Sequence, residues 1–448
     1  MMQSLRFSGL TGFFLFLICL PVFGKELSLD QVLSTALSDT RGQKKIQADF
    51  DQQIAETDIY RSSALPQLNF GLTSQRSSLS LIGQQGAGDQ KRAYGNEHSY
   101  QLSLDAPIYS FGRLTSVWQL SKLQKSLIDQ SKTMQTDQFL NEVISLYLSA
   151  LLSQARVKVS KLGVDHSNST LEFMQTEFNH GSLGKADFLR AQSKSYLSKA
   201  QYDRHLAEAR AASEELKISL NLPEGQTVTI DPDTVENAQF FSFKSPEKAK
   251  ESSHPVRLAN LQKEISEKTV SYRRASYLPT LSLIAGMGGS LKTHRIAGYP
   301  TESLQFQDLL SNSRMNYYGG ISLRWNLFDG LKTSSELHQA NAQAIKATLE
   351  RENAIDQERI NRKKAIDTLA SSQKSLLATI DAKKAMEMAY HQSEQDFKRG
   401  TVSLTELLEV QKDYYDTLLK YYEALSAKIN AIVAVKLSHG IPLWRKEA

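Results

Sequence analysis

The chain states one pattern twice. Phe178-Asn179-His180-Gly181-Ser182-Leu183 precedes Asp187-Phe188-Leu189, Gln192, Tyr196, Tyr202, Leu206 and Pro223. Phe397-Lys398-Arg399-Gly400-Thr401-Val402 precedes Glu406-Leu407-Leu408, Gln411, Tyr415, Tyr421, Leu425 and Pro442. Gly400 stands 219 positions after Gly181, and the other pairs keep that offset without a gap. Upstream, Leu65-Pro66-Gln67-Leu68 matches Leu278-Pro279-Thr280-Leu281, and Gly112 matches Gly330. A duplication of this length obliges both halves to form the same supersecondary unit.

Periodicity says what that unit contains. Leu29, Val32, Leu33, Ala36 and Leu37 follow Ser28 at helical spacing, which predicts a short capped helix. A second helix is expected over residues 42–63, stopping before Pro66. The period then becomes two. Leu68, Phe70 and Leu72 alternate with polar or small residues, and after a Gly-rich stretch Tyr100, Leu102, Leu104 and Ala106 do the same. This reads as a β-hairpin over about 67–108. Its repeat, over about 280–327, uses Leu281, Leu283 and Ala285, then Ile321, Leu323, Trp325 and Leu327. The offset grows from 213 at Pro66 to 218 at Gly112, so the second connecting loop is longer.

Each hairpin leads through a Gly into a long tract for a helical hairpin, over about 112–221 and 330–438. Leu331 to Phe397 contains neither Pro nor Gly. Within it Ile366, Leu369, Gln373, Leu376 and Ile380 step 3-4-3-4, the spacing of a coiled-coil seam. A helix of about 67 residues extends ~100 Å, beyond any ordinary globular helix. His180-Gly181 and Lys398-Arg399-Gly400 carry the stop signal of basic residues before Gly.

The resulting division is a leader over 1–24, a first repeat over 25–222, a linker over 223–253, a second repeat over 254–441 and a tail over 442–448. The leader has Arg6, the apolar core Phe13-Phe14-Leu15-Phe16-Leu17-Ile18 and a small-residue cut after Gly24, the form of a secretory signal peptide. The chain's one cysteine, Cys19, lies inside it and lacks the small residue that precedes a lipidated cysteine. The mature chain therefore needs neither disulfides nor thiol ligands. The net charge of +5 is spread rather than gathered in a stripe, which argues against nucleic acid as a partner.

Alternating strands suit lipid on one face and water on the other. Four strands cannot close, and an open edge is not viable in a bilayer. Other copies must complete the sheet, and three copies give twelve strands. The expected fold is an α+β membrane protein, a duplicated unit making a trimeric twelve-stranded outer-membrane β-barrel continued by a long periplasmic α-helical coiled-coil barrel.

The residues resemble the TolC-like outer-membrane channel proteins of efflux pumps and type I secretion systems. The likeness spans the mature chain. Its carriers are Leu27-Ser28-Leu29-Asp30-Gln31-Val32-Leu33, the two Leu-Pro-x-Leu starts, Asn326-Leu327-Phe328-Asp329-Gly330 and the Gly181 and Gly400 turns with their downstream acidic residues. The resemblance implies a homotrimer in outer-membrane lipid, extending into the periplasm, with a periplasmic adaptor (a membrane fusion protein) and an inner-membrane pump as partners. It implies no catalytic residue, no metal and no cofactor.

By that resemblance Glu406 and Glu409 ring the periplasmic entrance, three chains presenting six carboxylates that select cations. Ser403-Leu404-Thr405-Glu406 also fits a capping box, a role for Glu406 in its own helix start. Asp187 matches the acidic position of the first turn, where family members tie their hairpins together. Here the pattern departs: Val402 replaces the expected basic residue and Phe397 the expected tyrosine. Asp187 is left to find Lys398 or Arg399, or to act as a helix N-terminal charge. Gly181, Ser182, Leu183, Gly400, Thr401 and Val402 are the candidate adaptor-docking tips, or ordinary turn residues.

Two other readings explain less of the chain. Catalysis lacks a His-Glu-x-x-His, a phosphate loop followed by Lys, or a Cys pair; Gly286-Met287-Gly288-Gly289 falls in a predicted strand. A periplasmic coiled-coil adaptor or scaffold accounts for the helices but not for four alternating strands behind a leader.

Overall fold

A computed structural model describes residues 25–38, 40–81, 91–182, 184–223, 228–231, 252–296 and 315–444. The leader, Leu183, most of the linker and the end of the tail lie outside the described residues.

The duplication is realised residue for residue in the helices. Helix α1 (Leu29–Ala36) starts at Ser28, which forms a full capping box with Gln31. Helices α2 (Arg41–Ser62) and α5 (His254–Ala275) each have 22 residues. Helices α3 (Arg113–Asn179) and α6 (Lys332–Lys398) each have 67, and α4 (Lys185–Ser219) and α7 (Leu404–Ser438) each have 35. The α3–α4 and α6–α7 pairs form helical hairpins, α2 and α5 pack on α3, and α5 also packs on α6. Phe111 and Leu331 adopt left-handed φ angles beside Gly112 and Gly330. That tight reversal aims each long helix directly off its strand.

Four antiparallel strands form one sheet in the order β2 (Gln67–Leu81), β3 (Lys91–Tyr109), β5 (Thr280–Ile296), β6 (Met315–Arg324). The outer edges of β2 and β6 have no partner among the described residues. Register settles the two faces. Leu68, Leu104, Ala285 and Gly319 form one rung, and Phe70, Leu102, Met287 and Tyr317 the next on the same side. Directly opposed residues share a face, so this side is apolar across all four strands. The other side carries Asn69, Ser103, Gly286 and Tyr318, then Gly71, Gln101, Gly288 and Asn316. Gln101 donates to the Tyr318 hydroxyl there at 3.2 Å. A Cβ on Gly286 would meet the Tyr318 ring at 2.5 Å, so this glycine lets the tyrosine lie across the sheet. The Gly-rich run is thus strand, as expected.

Sequence placed Trp325 and Leu327 within the last strand. β6 ends at Arg324, and Trp325 instead donates its indole N–H to the Tyr277 carbonyl at 3.1 Å. With the edge-on pair Tyr109–Phe111 at 4.8 Å, it builds an aromatic collar where the sheet meets the helices.

The expected coiled-coil seam holds at Leu369, Leu376 and Ile380 and is corrected at its other two positions. Ala365, Leu369, Ser372 and Leu376 are the buried face of α6, whereas Ile366 and Gln373 are exposed. Small Ala and Ser let neighbouring helices approach closely, which a pattern of large apolar residues does not reveal. The linker likewise holds more order than its composition suggests: β4 (Val228–Thr229) pairs in parallel with β1 (Lys25–Glu26).

The main core lies midway down the helices. Leu29 and Val32 of α1 meet Leu140, Ile144, Tyr147 and Leu151 of α3 and Leu425, Ile429 and Ile432 of α7. Beside it a buried polar knot joins the repeats. Asp137 of α3 accepts from His254 Nε2 at 3.0 Å and from the Leu443 backbone N–H at 3.0 Å. Glu358 of α6 accepts from the Ser253 N–H and pairs with Arg362 at 2.9 Å, and Arg362 donates to the Ser438 carbonyl at 3.0 Å.

Candidate functional site

Both helical hairpins turn by the same device. At the end of α3, Gly181 N–H donates to the Phe178 carbonyl and Ser182 N–H to the Glu177 carbonyl, each at 3.0 Å. At the end of α6, Gly400 donates to Phe397 and Thr401 to Asp396, each at 2.9 Å. These are Schellman closures, and they need the left-handed φ values of +75° and +77° at the two glycines. Ser182 also donates its hydroxyl to the Glu177 carboxylate at 2.6 Å. Gly181, Ser182, Gly400 and Thr401 are exposed, as the docking-tip expectation requires, and Val402 is half-buried.

The two tips lean on each other. Leu404, the first residue of α7, is buried against Met174 of α3 and Ala191 of α4, with Phe173, Phe188, Phe397 and Leu408 around them. Phe173 meets Phe397 edge-on at 5.6 Å, and Phe178 stacks on Phe188 at 5.1 Å. Burying one leucine this way stabilises by about 1.5–3 kcal/mol. Phe397, read as a departure from the family's tyrosine, therefore supplies apolar contact at the same junction.

Of the two expectations for Asp187, the pairing with Lys398 or Arg399 is corrected, and its place in the first turn of α4 is that of a helix N-terminal charge. Lys398 pairs with Glu394 at 2.8 Å and Arg399 with Asp396 at 3.6 Å, both at the C-terminal end of α6. Partners one turn away on the same helix are nearer than the other hairpin. Asp187 pairs instead with Arg190 at 3.7 Å on its own helix, and Arg190 donates across to the Thr405 hydroxyl of α7 at 3.1 Å. Arg190 and Thr405 were missed in the sequence. The duplication held a clue, since Arg190 occupies the position that repeats as Glu409. The ion pair is half exposed and contributes a few tenths of a kcal/mol at most; its use is to aim the guanidinium.

Glu406 and Glu409 are exposed on the first two turns of α7. The Ser403 hydroxyl accepts from Glu406 N–H at 3.3 Å. At Ser28 the box is closed in both directions, but at Ser403 only this forward half is recorded. The Glu406 carboxylate is thus not engaged by the cap. Within one chain nothing gathers the acidic residues into a pore; that requires copies around an axis. The described residues include no cluster of metal-binding side chains and no helix long and apolar enough to cross a membrane.

The chain matches the family model described as outer membrane efflux protein over residues 32–222 and 245–440. It is 21% identical over 409 residues to nodulation protein T of Rhizobium leguminosarum bv. trifolii, covering 87% of this chain and 81% of that protein. Among solved structures it is similar to the Campylobacter jejuni CmeC outer membrane channel, with a TM-score of 0.74 at 15% identity over 92% of this chain and 85% of that one. It is also similar to CusC, with a TM-score of 0.72 at 15% identity over 94% and 93%.

Proposed function

Because the chain belongs to the outer membrane efflux protein family, we propose that three copies close its sheet into one barrel and its helices into one tunnel. It resides in the outer membrane, extends into the periplasm and serves as an exit duct for efflux. The observation that carries this working is the four-stranded sheet. It has one continuous apolar face, one polar face and two edges unpaired among the described residues. A sheet with open edges cannot stand in lipid. β2 of one copy is placed to pair with β6 of the next, and twelve strands enclose an aqueous bore. A scaffold has no use for the exposed Leu68, Phe70, Leu72, Ile321 and Leu323. The work assigned is passage rather than catalysis.

The protein extracted in detergent should be a trimer by light scattering. A uniform monomer that keeps its β-content and still forms pores would remove the basis of this assembly. The tip residues Gly181, Ser182, Gly400, Thr401 and Val402 then face a periplasmic adaptor, beyond which an inner-membrane pump supplies the cargo.

Glu406 and Glu409 are assigned to the tunnel entrance. Three-fold repetition crowds six carboxylates where the bore narrows, attracting cations and repelling anions. Glu406→Gln combined with Glu409→Ala should reduce cation selectivity and weaken block by divalent cations in planar bilayers. Glu406→Gln removes the charge and leaves the Ser403 cap, whose acceptor is the serine oxygen. Unchanged selectivity and block in the double variant would return both residues to the role of solvated surface charges.

A further inference from the structure

Within one chain the helical hairpins form a row: α4 packs on α3, α3 on α7 and α7 on α6. The α3–α7 seam in the middle joins one hairpin to the other. Above the tips, its level is set by Tyr415 of α7. The Tyr415 hydroxyl stands 2.7 Å from His166 Nδ1 and 3.4 Å from the Leu162 carbonyl of α3. His166 also stacks on the Tyr415 ring at 5.9 Å and on Tyr390 of α6 at 4.7 Å. Asp137, earlier in α3, meets Leu443, later than Tyr415, so the two helices run in opposite directions. Seven residues back from Leu162 and seven on from Tyr415 therefore bring Ala155 level with Tyr422. The same count brings Leu148 level with Ile429 and Ile144 with Val433, and Leu162 lies within a turn of Leu418. Seven of these residues are buried in the main core and Leu162 packs against it. The seam within the chain is apolar.

The row ends on a free side of α4 at one end and of α6 at the other. The 219 offset carries α3 onto α6 and α4 onto α7, so these outer sides hold the positions that form the inner seam. Ile144, Leu148, Ala155 and Leu162 are repeated on α6 as Lys363, Asp367, Lys374 and Asp381. Val433, Ile429, Tyr422 and Leu418 are repeated on α4 as Glu214, Arg210, Asp203 and Lys199. All eight are exposed. Of the eight, only Glu214 has an ion-pair partner among the described residues, Lys217 on its own helix. Tyr196, which repeats Tyr415, is 65% exposed on the same side of α4. Taken in the order of the inner seam, the pairs are Lys363 with Glu214, Asp367 with Arg210, Lys374 with Asp203 and Asp381 with Lys199. Each couples opposite charges, and the sign alternates along both helices.

We propose that these two sides are one docking surface for a second copy of the chain: α6 receives α4 of the next copy through a ladder of four ion pairs. The α3–α7 seam forms as a single chain folds, so apolar residues suit it. The outer sides stay in water until copies meet, and charge keeps them from associating at random. Complementary charge then selects the partner surface. Alternation also fixes the register. A slip of one rung sets Lys363 against Arg210 and Asp367 against Asp203, like charge against like, which disfavours the wrong pairing. The chain thus uses one seam geometry twice, apolar where the two hairpins are covalently joined and charged where they belong to separate copies.

The ladder rests on the trimeric channel reading, and the test separates the two. The ratio of trimer to monomer is measured in detergent, at fixed protein concentration and at the temperature where half the parent trimer has dissociated. Asp367→Arg and Arg210→Asp, each alone, should lower that ratio by about tenfold, the product of about twofold for an exposed pair at each of three seams. Asp367→Arg combined with Arg210→Asp in one chain should restore most of it, because the pair is rebuilt with its signs exchanged. α4 and α6 stand at opposite ends of the row, so such a rescue acts between copies. Single reversals indistinguishable from the parent, or a double variant no better than the singles, would overturn the ladder, assign both sides to some other partner and leave the channel standing. A parent that is monomeric in detergent would overturn the trimer and the ladder with it.

Discussion

Asp137→Ala should destabilise the folded chain by about 3–5 kcal/mol, the cost of removing one partner from a buried polar pair. Asp137 is 1% exposed, and its carboxylate serves two donors from distant parts of the chain: His254, which opens α5, and Leu443 in the C-terminal segment. Alanine leaves both donors without their acceptor inside the core. His254 Nδ1 also faces Arg257 at 3.3 Å, so the loss reaches the start of the second repeat. Asp137→Asn should fall between, because one amide oxygen can serve one donor while the NH₂ group opposes the other. Heat-induced loss of the trimer, at fixed protein and detergent concentration, measures the effect. If Asp137→Ala loses its trimer at the same temperature as the parent, the knot is not what fastens the repeats.

Ile321→Arg should cost about 2–4 kcal/mol, the penalty for a cation on the lipid face near the bilayer midplane. Ile321 lies on the apolar face opposite Leu283, four residues from Tyr317 and four from Trp325. Aromatic residues mark the interfaces of such barrels, so Ile321 sits near the middle of the band. Leu323 lies one residue from the end of β6, beside Trp325. Arginine there can reach the headgroups and should cost about 0–1 kcal/mol, the interfacial value. Ser322→Arg should be mild, because Ser322 opposes Ser282 on the wet face. The yield of heat-resistant trimer in isolated outer membranes ranks the three. Equal damage at Ile321 and Ser322 would mean that the register is wrong by one residue.

The framework was legible because duplication and periodicity are local properties. The 219-residue offset relates the α3–α4 hairpin to α6–α7, and the period-two runs fall inside β2, β3 and β5 but meet only the end of β6, while β1 and β4 carried no such signal. Glu406 and Glu409, proposed for the entrance, were singled out by resemblance, and their neighbours were not. Arg190 carries no motif, and its reach to Thr405 depends on how α4 meets α7. Lys398 and Arg399 looked available to Asp187 but were taken by Glu394 and Asp396 one turn away. His166, Asp137 and His254 carried no motif.

What the sequence determined by itself is the repeat, the alternation of the strands and the helix stops at Gly181 and Gly400. Each follows from the backbone preferences and hydrophobic spacing of neighbouring residues. Tertiary structure alone decided which faces meet. The seam of α6 adds Ala365 and Ser372 to the expected Leu369 and Leu376, small side chains that permit close approach without announcing it in a hydropathy pattern. The tyrosine repeated at 196 and 415 lies exposed in one place and clasped to an imidazole in the other. The repeated tyrosine by itself cannot distinguish these fates, because burial is set by what the rest of the chain brings within reach.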